Sequence, residues 1–197
     1  MVWHVGKPIQ PPFCLTYENQ TLLLLPEKAL LWKEENILII ADLHLGKGSH
    51  FRKEGLNLSP GCHQNDLVRL KQLFELYKPG NVFFLGDLFH SSFNTEWLDF
   101  CDFISEFPGI QFTLVRGNHD ILPDHCYSMA NIEVKEDSVC LGPFELSHEP
   151  LESSGKRLNI SGHIHPGIKL TGLAKQSLRL PCFFWTKTGL YYRPLEY

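Results

Sequence analysis

The chain has 197 residues, 43% of them hydrophobic and 20% charged, which is enough apolar content to close one core of ordinary size without a second domain. A formal charge of -4 and a pI near 6.2 exclude a general attraction to nucleic acid or to anionic membranes, so any polyanionic ligand has to be held by local charge. The opening Met1-Val2-Trp3-His4-Val5-Gly6-Lys7-Pro8 lacks the apolar core of a secretion signal and no stretch reaches the length of a membrane span, so residues 1–197 are expected to form a single soluble domain in the cytoplasm, with no membrane partner.

Residues 8–20, with Pro8, Pro11 and Pro12, read as irregular. Short apolar runs at 21–25 and 29–32 predict a hairpin leading into Ile37-Leu38-Ile39-Ile40-Ala41, a run whose length and isoleucine content predict a buried strand. Asp42-Leu43-His44 leaves its end. Residues 46–59 show no clear period and are expected to form a loop at the mouth of a site. Its glycines and the cations Lys47, Arg52 and Lys53 suit phosphate, against the blander reading of a solvated connector. Ser59-Pro60 then caps a helix with Leu67, Leu70, Phe74 and Tyr77 on one face, ended by Pro79-Gly80. After a strand at 82–85 and Gly86-Asp87, Asn94 caps a second helix whose Trp97, Cys101 and Ile104 share a face. A strand at 112–115 follows, then Gly117-Asn118-His119-Asp120.

The alternation of strand and helix from Ile37 to Val115 predicts an α/β sheet. Beyond Asp120 short strands are expected at 131–134, 138–141, 144–147, 158–161, 168–171, 179–185 and 189–192, with Gly162-His163-Ile164-His165 after the fourth of them. Four segments thus present a strand followed directly by ligand-type side chains, three of them through a glycine. Open α/β sheets place their sites outside the carboxyl ends of their strands, so these segments are expected to converge. Cys14, Cys62, Cys101, Cys126, Cys140 and Cys182 form no Cys-x-x-Cys pair and read as structural filler in a reducing compartment.

In this order, Asp-x-His, Gly-Asp, Gly-Asn-His-Asp and Gly-His-x-His resemble the calcineurin-like metallophosphoesterases, a superfamily of two-metal phosphomonoesterases, phosphodiesterases and nucleases. The resemblance implies a four-layer α/β/β/α sandwich and one further ligand between the last two motifs, where His148 stands in Leu146-Ser147-His148-Glu149. It implies that Asp42, His44, Asp87 and His165 hold one divalent cation and that Asp87, Asn118, His148 and His163 hold a second, with Asp87 as the bridge. Two aspartates against four positive charges leave an excess of about two, which attracts phosphate, and a shared water of lowered pKa would be the nucleophile. Ligands of oxygen and nitrogen without thiolate favour Mn2+, with Fe and Zn as alternatives.

By the same resemblance His119 protonates the leaving-group oxygen, and Asp120 is placed to orient its imidazole. His90, in Gly86-Asp87-Leu88-Phe89-His90-Ser91-Ser92, is similar to a histidine of the DNA-repair nuclease branch that assists at the active site. The protein-phosphatase branch carries Asp-Arg after its Gly-Asp, a pair missing here, although Arg116 before Gly117 is shared with it and is a candidate phosphate contact. His50, His63 and His125 are read as bystanders.

Leu25-Pro26-Glu27-Lys28-Ala29, Ala41-Asp42-Leu43-His44-Leu45-Gly46-Lys47, Gly162-His163-Ile164-His165-Pro166 and Leu180-Pro181-Cys182-Phe183 together look like the bacterial ligase-associated DNA-damage-response endonucleases, the PdeM family. One departure is a glycine-rich tail expected beyond Tyr197. This closer resemblance implies a phosphodiester substrate in DNA, with DNA ligase and helicase partners in repair and Lys47, Arg52 and Lys53 on a neighbouring phosphate. A nucleotide or other small diester is the alternative substrate. A non-catalytic scaffold of the retromer type is the alternative class, disfavoured because that class lacks the histidine that stands here as His119.

Overall fold

The computed structural model describes residues 11–46, 61–152, 155–172 and 175–192, and the backbone alone at 61–64. Seven strands form the first sheet in sequence order: β1 (Phe13–Tyr17), β2 (Gln20–Leu24), β3 (Leu30–Trp32), β4 (Ile37–Ala41), β5 (Asn81–Leu85), β6 (Gln111–Val115) and β7 (Ile132–Lys135). Tight turns join β1 to β4, which therefore pair antiparallel. The crossovers from β4 to β7 each contain a helix: α1 (Gly61–Tyr77), α2 (Thr95–Ser105) and α3 (Asp124–Met129). These last four strands accordingly pair in parallel. Every side chain of β4 is buried, as its unbroken apolar sequence requires of a central strand covered on both faces.

The second sheet runs in the order β13 (Phe183–Trp185), β14 (Gly189–Tyr192), β10 (Leu158–Ser161), β9 (Phe144–Ser147) and β8 (Val139–Leu141), with β10 parallel to both of its neighbours. A two-stranded ribbon, β11 (Gly167–Thr171) and β12 (Ser177–Pro181), stands apart.

Alternation along the strands divides the core in two. On one face of the first sheet, Leu38, Ile40, Phe84, Phe112 and Leu114 pack against Phe74 of α1, Trp97 and Phe100 of α2, and Tyr127 of α3. On the other, Ile37, Ile39, Phe83 and Val115 meet Phe144, Leu146, Leu158, Ile160 and Leu190 of the second sheet. Trp32 joins the two sheets edge-on to Phe144, ring centroids 4.8 Å apart, a contact that contributes about 0.5–1.5 kcal/mol beyond its area. Asn94 caps α2 as its position predicts, its Oδ1 accepting from the N–H groups of Glu96 and Trp97.

Three layers of the expected α/β/β/α sandwich are present among the described residues: helices, first sheet, second sheet. The outer face of the second sheet is met by the loop after β9, where the N–H of Leu151 donates to Asn159 Oδ1. Three local expectations are corrected. Residues 13–17 form β1, because the prolines stop short of Phe13 and the segment pairs residue for residue with β2. The run at 179–185 is two strands broken at Cys182, one in the ribbon and one in the second sheet. Helix α3 falls where no helix is expected. No helix of the described residues is long and apolar enough to cross a membrane.

Candidate dinuclear metal centre

The carboxyl ends of β4, β5 and β6 lie at one edge of the first sheet, and those of β9 and β10 release His148 and Gly162 from the second. Backbone hydrogen bonds continue past the strands: the N–H of Asp42 donates to the Gly86 carbonyl and that of His44 to the Asp87 carbonyl at 2.7 Å. Asp42, His44, Asp87, His163 and His165 all adopt left-handed backbone, with φ between 45° and 62°. Each such residue costs about 1–3 kcal/mol when it lacks glycine's freedom. The strain falls on candidate ligands and turns alternate side chains of Asp42-Leu43-His44 and of His163-Ile164-His165 into the same space.

The interlock depends on glycine. A Cβ on Gly162 would collide with Asp42 Oδ2 and lie 2.6 Å from the Ala41 Cβ. A Cβ on Gly86, where φ is +73°, would collide with the His148 ring. The N–H of His163 donates to both oxygens of Asp42, at 3.1 and 2.9 Å, so the last motif seats the first carboxylate. The N–H of His119 donates to Asp87 Oδ1 at 3.0 Å, which seats the second.

The ligand atoms gather in two overlapping groups. Asp42, His44 and His165 form one, and Asp42, Asp87 and His148 the other, the donor atoms of each lying within 4.8 Å of one another. His165 Nε2 is 3.6 Å from Asp42 Oδ1, and His44 Nε2 is 3.9 Å from Asp87 Oδ2. Nδ1 of His148 lies 3.0 Å from the Leu85 carbonyl, which can only accept, so the neutral imidazole donates there and turns the lone pair of Nε2 outward. Around that lone pair stand Asn118 Oδ1 at 2.7 Å, His163 Nδ1 at 3.1 Å and Asp87 Oδ1 at 3.6 Å. Acceptors gathered about a lone pair, from buried Asp87 to exposed Asn118, are a set that a divalent cation fits, and the Leu85 carbonyl fixes the tautomer needed for it. All seven residues expected as ligands are therefore brought together. Glu149 Oε1, 3.9 Å from His163 Nε2, is a neighbour that sequence reasoning passed over, though it adjoins His148.

His90 and His119 stack at the rim, and both rings face His44, at 5.5 and 6.0 Å. Asp120 is placed differently from its expected position behind the His119 imidazole. Its Oδ1 accepts from the N–H groups of Leu88 and Phe89, and its Oδ2 from that of Gly117, so it ties the second and third motifs together through backbone. Burial pushes its carboxyl up to about 6, with the Asp87 charge adding and the three N–H donors opposing.

Arg116 makes its contacts within the fold. Its Nε donates to Glu136 at 2.9 Å, its Nη1 to the Asp120 carbonyl and its Nη2 to Asp124, and the guanidinium lies over the Tyr127 ring. Lys47, Arg52 and Lys53, as well as His50, lie outside the described residues.

The profile of the calcineurin-like phosphoesterases matches residues 35–170. The nuclease MPE of Pseudomonas putida superposes with a TM-score of 0.80 at 26% identity, over 94% of this chain and 88% of that one. Yfce, a phosphoesterase from E. coli, overlaps with a TM-score of 0.46 at 16% identity, over 80% of this chain and 77% of that one. A search of curated proteins found no match.

Proposed function

Because the chain belongs to the calcineurin-like phosphoesterases and is a metal-dependent phosphoesterase, we propose that it cuts phosphodiester bonds in DNA, at locally exposed strands or ends. The observation that carries this reading is the convergence of Asp42, Asp87, His148 and His165 at one rim, in a chain that superposes along most of its length on a nuclease. The resemblance of its motifs to the ligase-associated endonucleases extends the proposal to DNA repair, alongside DNA ligase and helicase partners in the cytoplasm.

Asp42, His44, Asp87 and His165 would hold one divalent cation, and Asp87, Asn118, His148 and His163 the other, with Mn2+ favoured by the donor chemistry. When bound, such a pair polarises phosphoryl oxygens and lowers the pKa of water to near neutrality. The protein's own part is to set the ligands in place through the Gly86 and Gly162 approaches, to keep the His148 tautomer through Leu85, and to bring the His119 ring to the rim, where it delivers a proton to the departing oxygen.

The test is cleavage of end-labelled single-stranded and nicked DNA against bis(p-nitrophenyl) phosphate, with Mn2+ supplied. Strand scission that His119→Ala removes supports the proposal. Turnover of small diesters with DNA left intact would move the substrate to nucleotide or other small diesters, and a protein that binds Mn2+ yet turns over neither would be a scaffold.

A further inference from the structure

A DNA substrate needs positive charge, yet the chain as a whole carries -4. The charge is unevenly spread. Residues 153–195 contain seven Lys and Arg and no Asp or Glu, so one contiguous stretch is strongly cationic while the rest of the chain is acidic. That stretch contains the His163-Ile164-His165 arm and, directly after it, the ribbon of β11 and β12.

The register of the ribbon sorts its side chains. Lys169 and Arg179 are cross-strand partners and therefore share a face, while Ile168, Leu170, Leu178 and Leu180 lie on the other. Both cations are exposed. Arg179 also reaches diagonally across the ribbon to Gly167, at the end of β11 that follows His165: a Cβ on Gly167 would lie 3.0 Å from its Nε and 3.5 Å from its Cγ. Glycine at 167 is what lets this side chain lie flat there, two residues beyond His165. At about 3.3 Å of rise per residue, Gly167 is about 7 Å and Lys169 about 13 Å along the chain from His165. Unlike Arg116, which is bound by Glu136 and Asp124, neither Lys169 nor Arg179 has an acidic partner among the described residues.

We propose that the cationic face of this ribbon, Arg179 nearest the metal centre and Lys169 beyond it, binds the phosphate backbone of the nucleic-acid strand being cut, a few nucleotides from the scissile bond. The inference rests on the DNA reading above and deepens it by naming the holding surface. Arg179 is the stronger anchor, because its planar fork suits phosphate oxygens and because it reaches nearest the metal centre.

The experiment measures kcat/KM for labelled single-stranded DNA and for bis(p-nitrophenyl) phosphate across a NaCl series, for the parent protein and for Arg179→Ala, Arg179→Lys and Lys169→Ala. Arg179→Ala is expected to lose roughly tenfold or more on DNA, mainly through KM, with a loss at least fivefold smaller on the small diester. Arg179→Lys retains most of the DNA activity. Each alanine variant flattens the dependence of log kcat/KM on log salt by about 0.7. Equal losses on both substrates, or an unchanged salt slope in both alanine variants, would overturn the ribbon assignment while leaving the DNA reading intact. A parent protein that turns over the small diester but never cuts DNA overturns the DNA reading and this inference with it.

Discussion

The imidazole of His90 lies flat against that of His119, ring centroids 3.8 Å apart and planes 18° from parallel. The His119 ring thus meets the rings of His90 and His44, while the Asp120 oxygens accept the backbone N–H groups of Leu88, Phe89 and Gly117. His119→Ala is expected to lower kcat on DNA by about 10²–10⁴-fold, the range for loss of a general acid. The loss should be much smaller on a p-nitrophenyl diester, whose leaving group departs without a proton. His90→Ala should give an intermediate loss with the same leaving-group dependence. Stopped-flow or steady-state rates on the two substrates check this; equal losses on both would remove the acid role from His119.

Gly162→Ala tests the seat of the first carboxylate. The added Cβ would occupy space held by Asp42 Oδ2, and the Ala41 side chain stands at 2.6 Å, so Asp42 has to move. The expected result is a metal affinity weakened by about 10–100-fold, comparable to loss of a supporting contact around a metal ligand. Calorimetric titration with Mn2+ measures it, and unaltered affinity would contradict the interlock.

Chelation should abolish activity and Mn2+ should restore it. Asp42 and Asp87 are both buried and their donor atoms lie within 4.8 Å of one another and of His148, a grouping that the folded chain offers a cation and the unfolded chain does not. Mn2+ at about 100 times its Kd should stabilise the protein by about 2.7 kcal/mol through mass action alone. A thermal melt in EDTA and in graded Mn2+ reads this directly, and a Tm indifferent to Mn2+ would contradict it.

Stability should also fall on the alkaline side. Burial raises the phenol of Tyr192 well above its usual value of 10.0, with the Asp42 charge adding, and burial raises that of Tyr127 likewise, with the Asp120 charge adding. Each phenol holds its proton more tightly when folded than when unfolded. Its contribution is thus complete below about pH 10 and is lost as pH climbs from there toward the folded value. Urea titrations at pH 8 and pH 11 should show the drop, and Tyr192→Phe should shrink it. An identical pH dependence in Tyr192→Phe would assign the alkaline loss elsewhere.

Much of the centre is legible in the residues themselves, because four of its arms are short stretches that follow directly from strands. Ile37–Ala41 is too apolar to be anything but central, and Asp42 and His44 follow it without a break. His148 is harder, since no glycine precedes it and its place rests on the Leu85 carbonyl and Asn118, 63 and 30 residues away. The contacts of Arg116 are not legible locally. Asp124 opens α3, a helix whose six residues are too few for a recognisable period, and Glu136 follows β7, so neither partner of the guanidinium is apparent beside Gly117. The cations of the ribbon are visible in the sequence, whereas the pairing of Lys169 with Arg179 is a matter of register and emerges only with the fold.

The division of the ligands between two sheets bears on how the protein is made. A chain emerging from the ribosome presents Asp42, His44, Asp87 and Asn118 with the first sheet, but His148, His163 and His165 belong to a second sheet whose central strand β10 is flanked by β14, residues 189–192. The candidate centre therefore closes only when the two sheets have docked, since the hydrogen bond from His163 to Asp42 spans 121 residues. A product interrupted before residue 148 would carry Asp42, His44, Asp87 and Asn118 but none of the three histidines that follow β9 and β10, and so would lack a complete ligand set.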